Sequence, residues 1–360
     1  MNKIGIFGGS FDPIHIAHTF VAEESIKILN LDKLFFVPTF INPDKIGRKS
    51  ASPEDRINMI NLVKPEKSEV SLFEINRKNI SYSIDTLKYF KSKYPNDQLF
   101  FIIGSDNINK INKWEGIDWI YQNVQIVVFR REKLINKINI KKYKAILLDN
   151  KILDYSSSNY KKGNTFLVDK KVQCYIGKNL LYGQDIAINN LEAKRYKHSV
   201  ATEVMATKIA KKLNFDLKAA AFSGLMHDIT KNWDIEEHYK FLEEQNYPNF
   251  NKVEKHKLHQ ISASIWLKNI FLVENEQIIN SIGCHTTLKN DLSLLDKIVF
   301  VADKICEGRK YEGIQKVRKL ALENFDEAFK LVVKRTWDFN LEKNIPLSEE
   351  QINIYRKWSQ

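Results

Sequence analysis

The stretch Gly5-Ile6-Phe7-Gly8-Gly9-Ser10-Phe11-Asp12-Pro13-Ile14-His15-Ile16-Ala17-His18 carries a glycine-rich turn from an apolar run into two histidines three residues apart. Gly8 and Gly9 have no Cβ, so the backbone there can approach a phosphate closely and expose its N–H groups. A helical pattern follows from Ala17 to Leu29, which puts His15 and His18 on one side of its first turn, at its positive end. Each imidazole can donate to a phosphoryl oxygen. A strand-to-helix turn with two solvated histidines would also fit the residue types, but not their joint spacing. The reading is a cradle for a nucleotide's phosphates.

Working outward, Lys3 to Phe7, Leu34 to Val37, Leu99 to Ile103 and Gln125 to Phe129 are short β-rich runs, and Ala17 to Leu29, Pro53 to Leu62 and Ser83 to Lys93 are helical in pattern. That βαβ succession predicts a doubly wound, mainly parallel sheet over residues 1–186. Ligands of such sheets lie at the carboxyl ends of the strands, where Gly8 to His18 falls. Farther along, Ser156-Ser157-Ser158-Asn159-Tyr160-Lys161 can open a second helix onto the same phosphates, because Ser and Asn are good N-caps.

From about residue 187 to 360 the pattern is helical almost throughout, entered through the polar segment Asn189 to Lys197. This half holds six of the eight histidines. Met226-His227-Asp228-Ile229-Thr230-Lys231 follows an Ala-rich apolar helix, and adjacent helical residues point about 100° apart, so His227 and Asp228 share a metal only if both flank one cavity. His198 and Asp303 extend the set. Mixed nitrogen and oxygen donors suit iron, manganese or cobalt better than a closed thiolate zinc site. Lys231 is placed to steady a phosphate or an acidic neighbour, and His238 and His256 are expected at the surface.

At 360 residues, two domains are the default. No run approaches the roughly 20 apolar residues of a membrane span, and the N-terminus enters a strand without a charged leader, so a cytoplasmic protein is expected. Cys174, Cys284 and Cys306 fit neither a zinc knuckle nor a disulfide framework and should be reduced and buried. The net charge of +12 comes mostly from lysines interleaved with Glu and Asp, which argues against a nucleic-acid partner.

Gly5 to His18 resembles the nucleotidyltransferase motif G-x-F-D-P-x-H-x-G-H, with Ala17 in place of the second glycine. The Ser156 run resembles that superfamily's S-S-T-x-I-R, with Ser158 for the threonine and Lys161 for the arginine, which keeps charge but loses the bidentate fork. The resemblance implies nucleotidyl transfer from ATP with Mg²⁺, without a covalent intermediate. Gly8, Gly9, Ser10, Phe11, Ser156, Ser157, Ser158 and Lys161 would hold ATP, and His15 and His18 would be catalytic. Ser81-Tyr82-Ser83-Ile84-Asp85-Thr86-Leu87, and Ile102-Ile103-Gly104-Ser105-Asp106 with Trp114, look like the nicotinate-mononucleotide adenylyltransferases. By that resemblance the backbone of Ser83 and Ile84 meets the pyridine carboxylate, Trp114 stacks on the ring and Asp106 meets a ribose, a plain core role for Trp114 being the lesser alternative. Lys45 in Asn42-Pro43-Asp44-Lys45 would contact substrate, and Arg130 or Arg131 the acceptor phosphate.

The second half resembles the HD phosphohydrolase superfamily. His259 and His285 match its two-metal subgroup, so the implied ligands are His198, His227, Asp228, His259, His285 and Asp303, around two ions, iron or else manganese or cobalt. Asp228 and Lys231 would serve the chemistry, which in the bacterial subgroup is symmetrical hydrolysis of diadenosine tetraphosphate. The expectation is therefore a Rossmann-like nucleotidyltransferase domain followed by an all-α HD domain, acting on ATP, nicotinate mononucleotide and a dinucleoside polyphosphate. An alternative keeps the first activity and makes the helical half a nucleotide-sensing or dimerising module, and a homo-oligomer is left open.

Overall fold

In the computed structural model, which describes residues 1–41 and 50–360, the chain forms two compact units. The first comprises 1–160 and 164–175, and the second 161–163 and 176–360. The division lies earlier than the 186/187 boundary expected from the sequence, and residue 187 sits inside the helix Gly183–Asn190. The second unit resumes at Ile176, fully buried near the end of the helix Lys170–Lys178, ahead of the polar segment that marked it in the sequence.

The first unit is built on six parallel strands, β1 (Lys3–Gly9), β2 (Lys33–Pro38), β3 (Ser68–Val70), β4 (Gln98–Gly104), β5 (Gln125–Phe129) and β6 (Ile146–Leu147), ordered β3-β2-β1-β4-β5-β6. β3 and β6 are too short to give a sequence signal. The central strands are buried on both faces, so they read as continuous apolar runs. Strand order reverses between β1 and β4, and the crevice at their carboxyl ends is the position where this topology takes ligands.

The helix Ile16–Leu29 starts just beyond β1, and Ser83–Lys93 packs Leu87 and Phe90 onto the sheet. The second unit is helical throughout its described residues. Its helices Ala193–Lys212, Leu217–Met226, Leu258–Asn269, Glu276–Cys284 and Leu294–Ile305 surround a core of Ile209, Leu225, Ile282 and Phe300. No helix among the described residues is long and apolar enough to cross a membrane. Cys284 and Cys306 are buried as expected, whereas Cys174 is half-buried, on the boundary helix.

Candidate active sites

A cavity of about 780 Å³ opens at the switch point of the sheet. Gly8, Gly9, Ser10, Phe11, His15 and His18 line it, as do Ser83, Asp106, Trp114, Arg130 and Ser156 to Ser158. A Cβ built on Gly8 would meet no protein atom within 4 Å, so that backbone faces open space of the kind a phosphate needs. Phe11 is buried, with its ring edge-on to His18 at 5.0 Å, and props the turn from below.

His15 caps the helix Ile16–Leu29, and its ring stacks on His18 with centroids 3.6 Å apart. The His15 backbone N–H donates to His18 Nδ1 at 3.2 Å, so the neutral His18 ring keeps its proton on Nε2. His15 is nearly wholly buried, and that burial, with Arg131 nearby, lowers its pKa to about 3. Its Nδ1 is buried and has no hydrogen-bond partner among the described residues. His15, kept neutral by burial, and His18 therefore stand where ring N–H groups can donate to an anion.

Ser156 Oγ accepts the Asn159 N–H at 3.0 Å and opens the short helix Ser157–Lys161, while Ser157 Oγ donates to the Pro13 carbonyl at 2.9 Å. The serine turn is thereby tied to the glycine turn. Lys161 sits apart from that cavity lining: its Nζ is 3.6 Å from Asp185 and 5.0 Å over the Tyr182 ring. Ser83 and Ile84 are the first residues of the helix Ser83–Lys93, where backbone N–H groups have no acceptor within the helix. The Ile84 side chain itself is core. Trp114 does both things considered for it, packing against Phe101 at 6.0 Å and lining the cavity. Asp106 pairs with Arg131 at 3.2 Å, and Arg130 pairs with Asp149 at 3.3 Å. Lys45 lies outside the described residues.

The second unit gathers its six predicted ligands. His227 and His285 each cap the carboxyl end of a helix, and each anchors Nδ1 on the carbonyl three residues back, Gly224 at 2.8 Å and Ile282 at 2.7 Å. Nε2 thus faces the cluster, at the negative end of a helix dipole, and that of His285 lies 3.3 Å from His259 Nε2. Gly224 is needed for a second reason: a Cβ there would come within 2.9 Å of the Glu203 backbone, so only glycine lets this helix lie so close to the one carrying His198.

Asp228 stands between the rings. Its Oδ2 is 3.6 Å from His227 Nε2, and its Oδ1 is 3.6 Å from both His259 Nε2 and His285 Nε2. Asp303 Oδ1 is 2.9 Å from His198 Nε2 and 3.9 Å from His227 Nε2. His198, His227 and Asp303 form one group whose donor atoms could hold a metal ion, and His227, Asp228 and His285 form another. His227 Nε2 is buried with no hydrogen-bond partner among the described residues. A buried ring nitrogen facing two carboxylates at distances too long for hydrogen bonds fits a divalent cation.

Electrostatics agree with that fit. Burial pushes His227 down to about 4, against the pull of Asp228 and Asp303. Burial alone would raise both carboxyls, yet the His227 and His285 rings hold Asp228, and Lys304 and His198 hold Asp303, well below the usual range. Burial would also lower His198, but the Asp303 carboxylate 2.9 Å from its Nε2 and the Cys306 sulfur beside its Nδ1 carry it to about 9. Lys231 Nζ lies 3.0 Å from His259 Nε2, and burial lowers its pKa.

Comparison with known proteins matches residues 6–163 to the cytidylyltransferase-like family and residues 195–308 to the HD domain. A relative from Mycoplasma genitalium, named a probable nicotinate-nucleotide adenylyltransferase/Ap4A hydrolase, is 34% identical over 350 residues, covering 92% of this chain and 97% of its own. The chain belongs to that two-domain family. A second member, from Mycoplasma pneumoniae, is 29% identical over 91% of this chain and 97% of its own. Among solved structures, an HD superfamily hydrolase described as involved in NAD metabolism, from Clostridium acetobutylicum, is 28% identical with a TM-score of 0.45, covering 49% of this chain and 94% of its own.

Several residues around the two candidate sites carry no motif that sequence reading could use. Arg56 is buried and donates to the Ser10 carbonyl at 2.8 Å, bracing the glycine turn from a distant helix. Glu74, also buried, accepts from Thr86 Oγ1 at 2.5 Å on the cavity wall. Arg195 and Arg309 lie against Asp228 and Asp303. Of the two histidines expected at the surface, His256 is half-buried beside Glu254, and His238 is a correction: it is buried, with Nδ1 2.9 Å from Ser262 Oγ on a facing helix. Its apolar-facing position on the strongly amphipathic helix Ile235–Glu244 was the available signal.

Proposed function

We propose that the chain is a bifunctional cytoplasmic enzyme: the first unit transfers the adenylyl group of ATP to nicotinate mononucleotide, giving deamido-NAD and pyrophosphate, and the second hydrolyses diadenosine tetraphosphate symmetrically to two ADP. The observation that carries the first half is one cavity shared by the His15/His18 pair, the Ser156 turn and the Ser83 helix start. In this reading ATP enters as its Mg²⁺ salt, with its phosphates over Gly8, Gly9 and Ser156 to Ser158. An oxygen of the acceptor phosphate attacks the α-phosphorus while the bond to pyrophosphate breaks. His18 Nε2–H and the His15 ring donate to the oxygens on which charge builds, so catalysis is positioning and charge stabilisation. The N–H groups of Ser83 and Ile84 receive the pyridine carboxylate, Trp114 its ring and Arg130 the acceptor phosphate. Lys45 and Lys161 keep their proposed roles in substrate and phosphate binding on sequence grounds alone.

For the second half, His198, His227, Asp228 and Asp303 would hold one ion, and Asp228, His259 and His285 another, iron being the proposed metal and manganese or cobalt the substitutes. Divalent ions there supply activation of water and polarisation of phosphoryl oxygens. The protein's own part would be to present both oxygens of Asp228 to the rings of His227, His259 and His285, to orient Nε2 of His227 and His285 through their Nδ1 anchors, and to keep Lys231 beside the cluster for the leaving phosphate. Product analysis on purified full-length protein tests both halves: deamido-NAD from ATP and nicotinate mononucleotide, and ADP alone from diadenosine tetraphosphate. ATP plus AMP from the latter would refute the symmetrical cut.

A further inference from the structure

Both buried carboxylates of the second site already carry a guanidinium. Arg195 Nη1 donates to Asp228 Oδ2 at 2.9 Å, and Arg309 Nη2 donates to Asp303 Oδ1 at 2.6 Å. Those are the oxygens that face His227 Nε2 and His198 Nε2, the atoms a cation needs. Arg309 Nε also donates to the Asp303 backbone carbonyl at 2.9 Å, a contact that does not use the carboxylate. Lys304 avoids the oxygen that faces the rings. Its Nζ bonds the other oxygen of Asp303, Oδ2, at 2.7 Å and the His285 carbonyl at 3.2 Å, so it can brace the carboxylate whatever occupies the cluster.

The arginines also come from the solvent side. Their side chains are 37% and 43% exposed, against 4% and 8% for the carboxylates they cover. A guanidinium is permanently charged, and its planar fork matches phosphate as well as carboxylate. Sharing an oxygen with a divalent ion in a buried pocket sets like charges against each other at low effective dielectric.

We propose that Arg195 and Arg309, which reach Asp228 and Asp303 from the solvent side, yield those carboxylate oxygens to divalent ions and close on the phosphates of the substrate. Metal and phosphate then favour one another, because the first frees the groups that bind the second. The identity of that phosphate compound rests on the hydrolase reading; the exchange does not. A bracing role, in which the arginines only orient the ligands, predicts the opposite sign for metal affinity.

The test uses the full chain stripped of metal, with Mn²⁺ as the probe ion, its free concentration read by electron paramagnetic resonance. Inorganic phosphate binding to the Mn²⁺-loaded protein is read by calorimetry, with Asp228→Ala as the background for the first site. Arg195→Gln and Arg309→Gln should bind Mn²⁺ as tightly as the parent or severalfold tighter, and phosphate at least about tenfold more weakly. If a Gln variant does not fold, its Lys counterpart should keep Mn²⁺ affinity and lose part of the phosphate affinity. Weaker Mn²⁺ binding, or unchanged phosphate binding, overturns the proposal. A parent that binds Mn²⁺ and phosphate but leaves diadenosine tetraphosphate intact overturns the hydrolase reading alone.

Discussion

The two units use histidine for opposite ends. In the first, His15 and His18 stack on each other against phenylalanine, with an arginine as the nearby charge for His15, and burial keeps His15 neutral down to about pH 3. In the second, the rings of His198, His227, His259 and His285 all face carboxylate oxygens. A histidine surrounded by apolar rings and cations donates to an anion, whereas one facing carboxylates helps hold a cation. What separates the two is the partner each fold brings to the ring, since the residue type is the same.

The largest effect that would break this contrast is expected at Asp228. Asp228→Ala removes the carboxylate that three rings share, so metal content should fall and hydrolysis of diadenosine tetraphosphate should drop by more than the roughly 10- to 100-fold cost of losing an outer partner. Adenylyl transfer by the same sample should persist. His18→Ala is the mirror experiment: kcat for adenylyl transfer should fall by about 3 kcal/mol in transition-state stabilisation, on the order of a hundredfold, with hydrolysis unchanged. A near-parental rate would remove His18 from the chemistry.

A smaller effect sharpens the first site. The free N–H groups at Ser83 and Ile84 favour a carboxylate over a carboxamide, so kcat/KM should be higher for nicotinate mononucleotide than for its amide by at least about tenfold. Equal values would move specificity elsewhere in the cavity. The smallest concerns acid stability. His15 takes up a proton near pH 6.5 when unfolded and only near 3 when folded, so the unfolded chain binds more protons between those values and stability falls as pH drops through them. Thermal unfolding of His15→Gln should lose less than the parent over that range. Equal losses would show that the ring is not held neutral.

How much of this was legible follows from where each signal lives. The turn Gly8 to His18, the Ser156 helix start and the candidate ligands His227 and Asp228 are local patterns, and local patterns survive in a sequence. The parallel sheet followed from runs buried on both faces, while β3 and β6, with three and two residues, gave no period to read. What escaped is tertiary pairing. That Lys161 faces Asp185, that Arg56 braces Ser10, and that Arg195 and Arg309 sit on the carboxylates of Asp228 and Asp303 depends on elements far apart in the chain. His238 was misplaced for the same reason, since its partner Ser262 lies on another helix.

The contrast between the two histidine environments is tested most directly by metal stoichiometry in dialysed full-length protein, compared between the parent, His18→Ala and Asp228→Ala. The account predicts about two divalent transition-metal ions per chain in the parent and in His18→Ala, and a clear loss in Asp228→Ala. Equal metal content in all three proteins, or a parent that retains none, would contradict it.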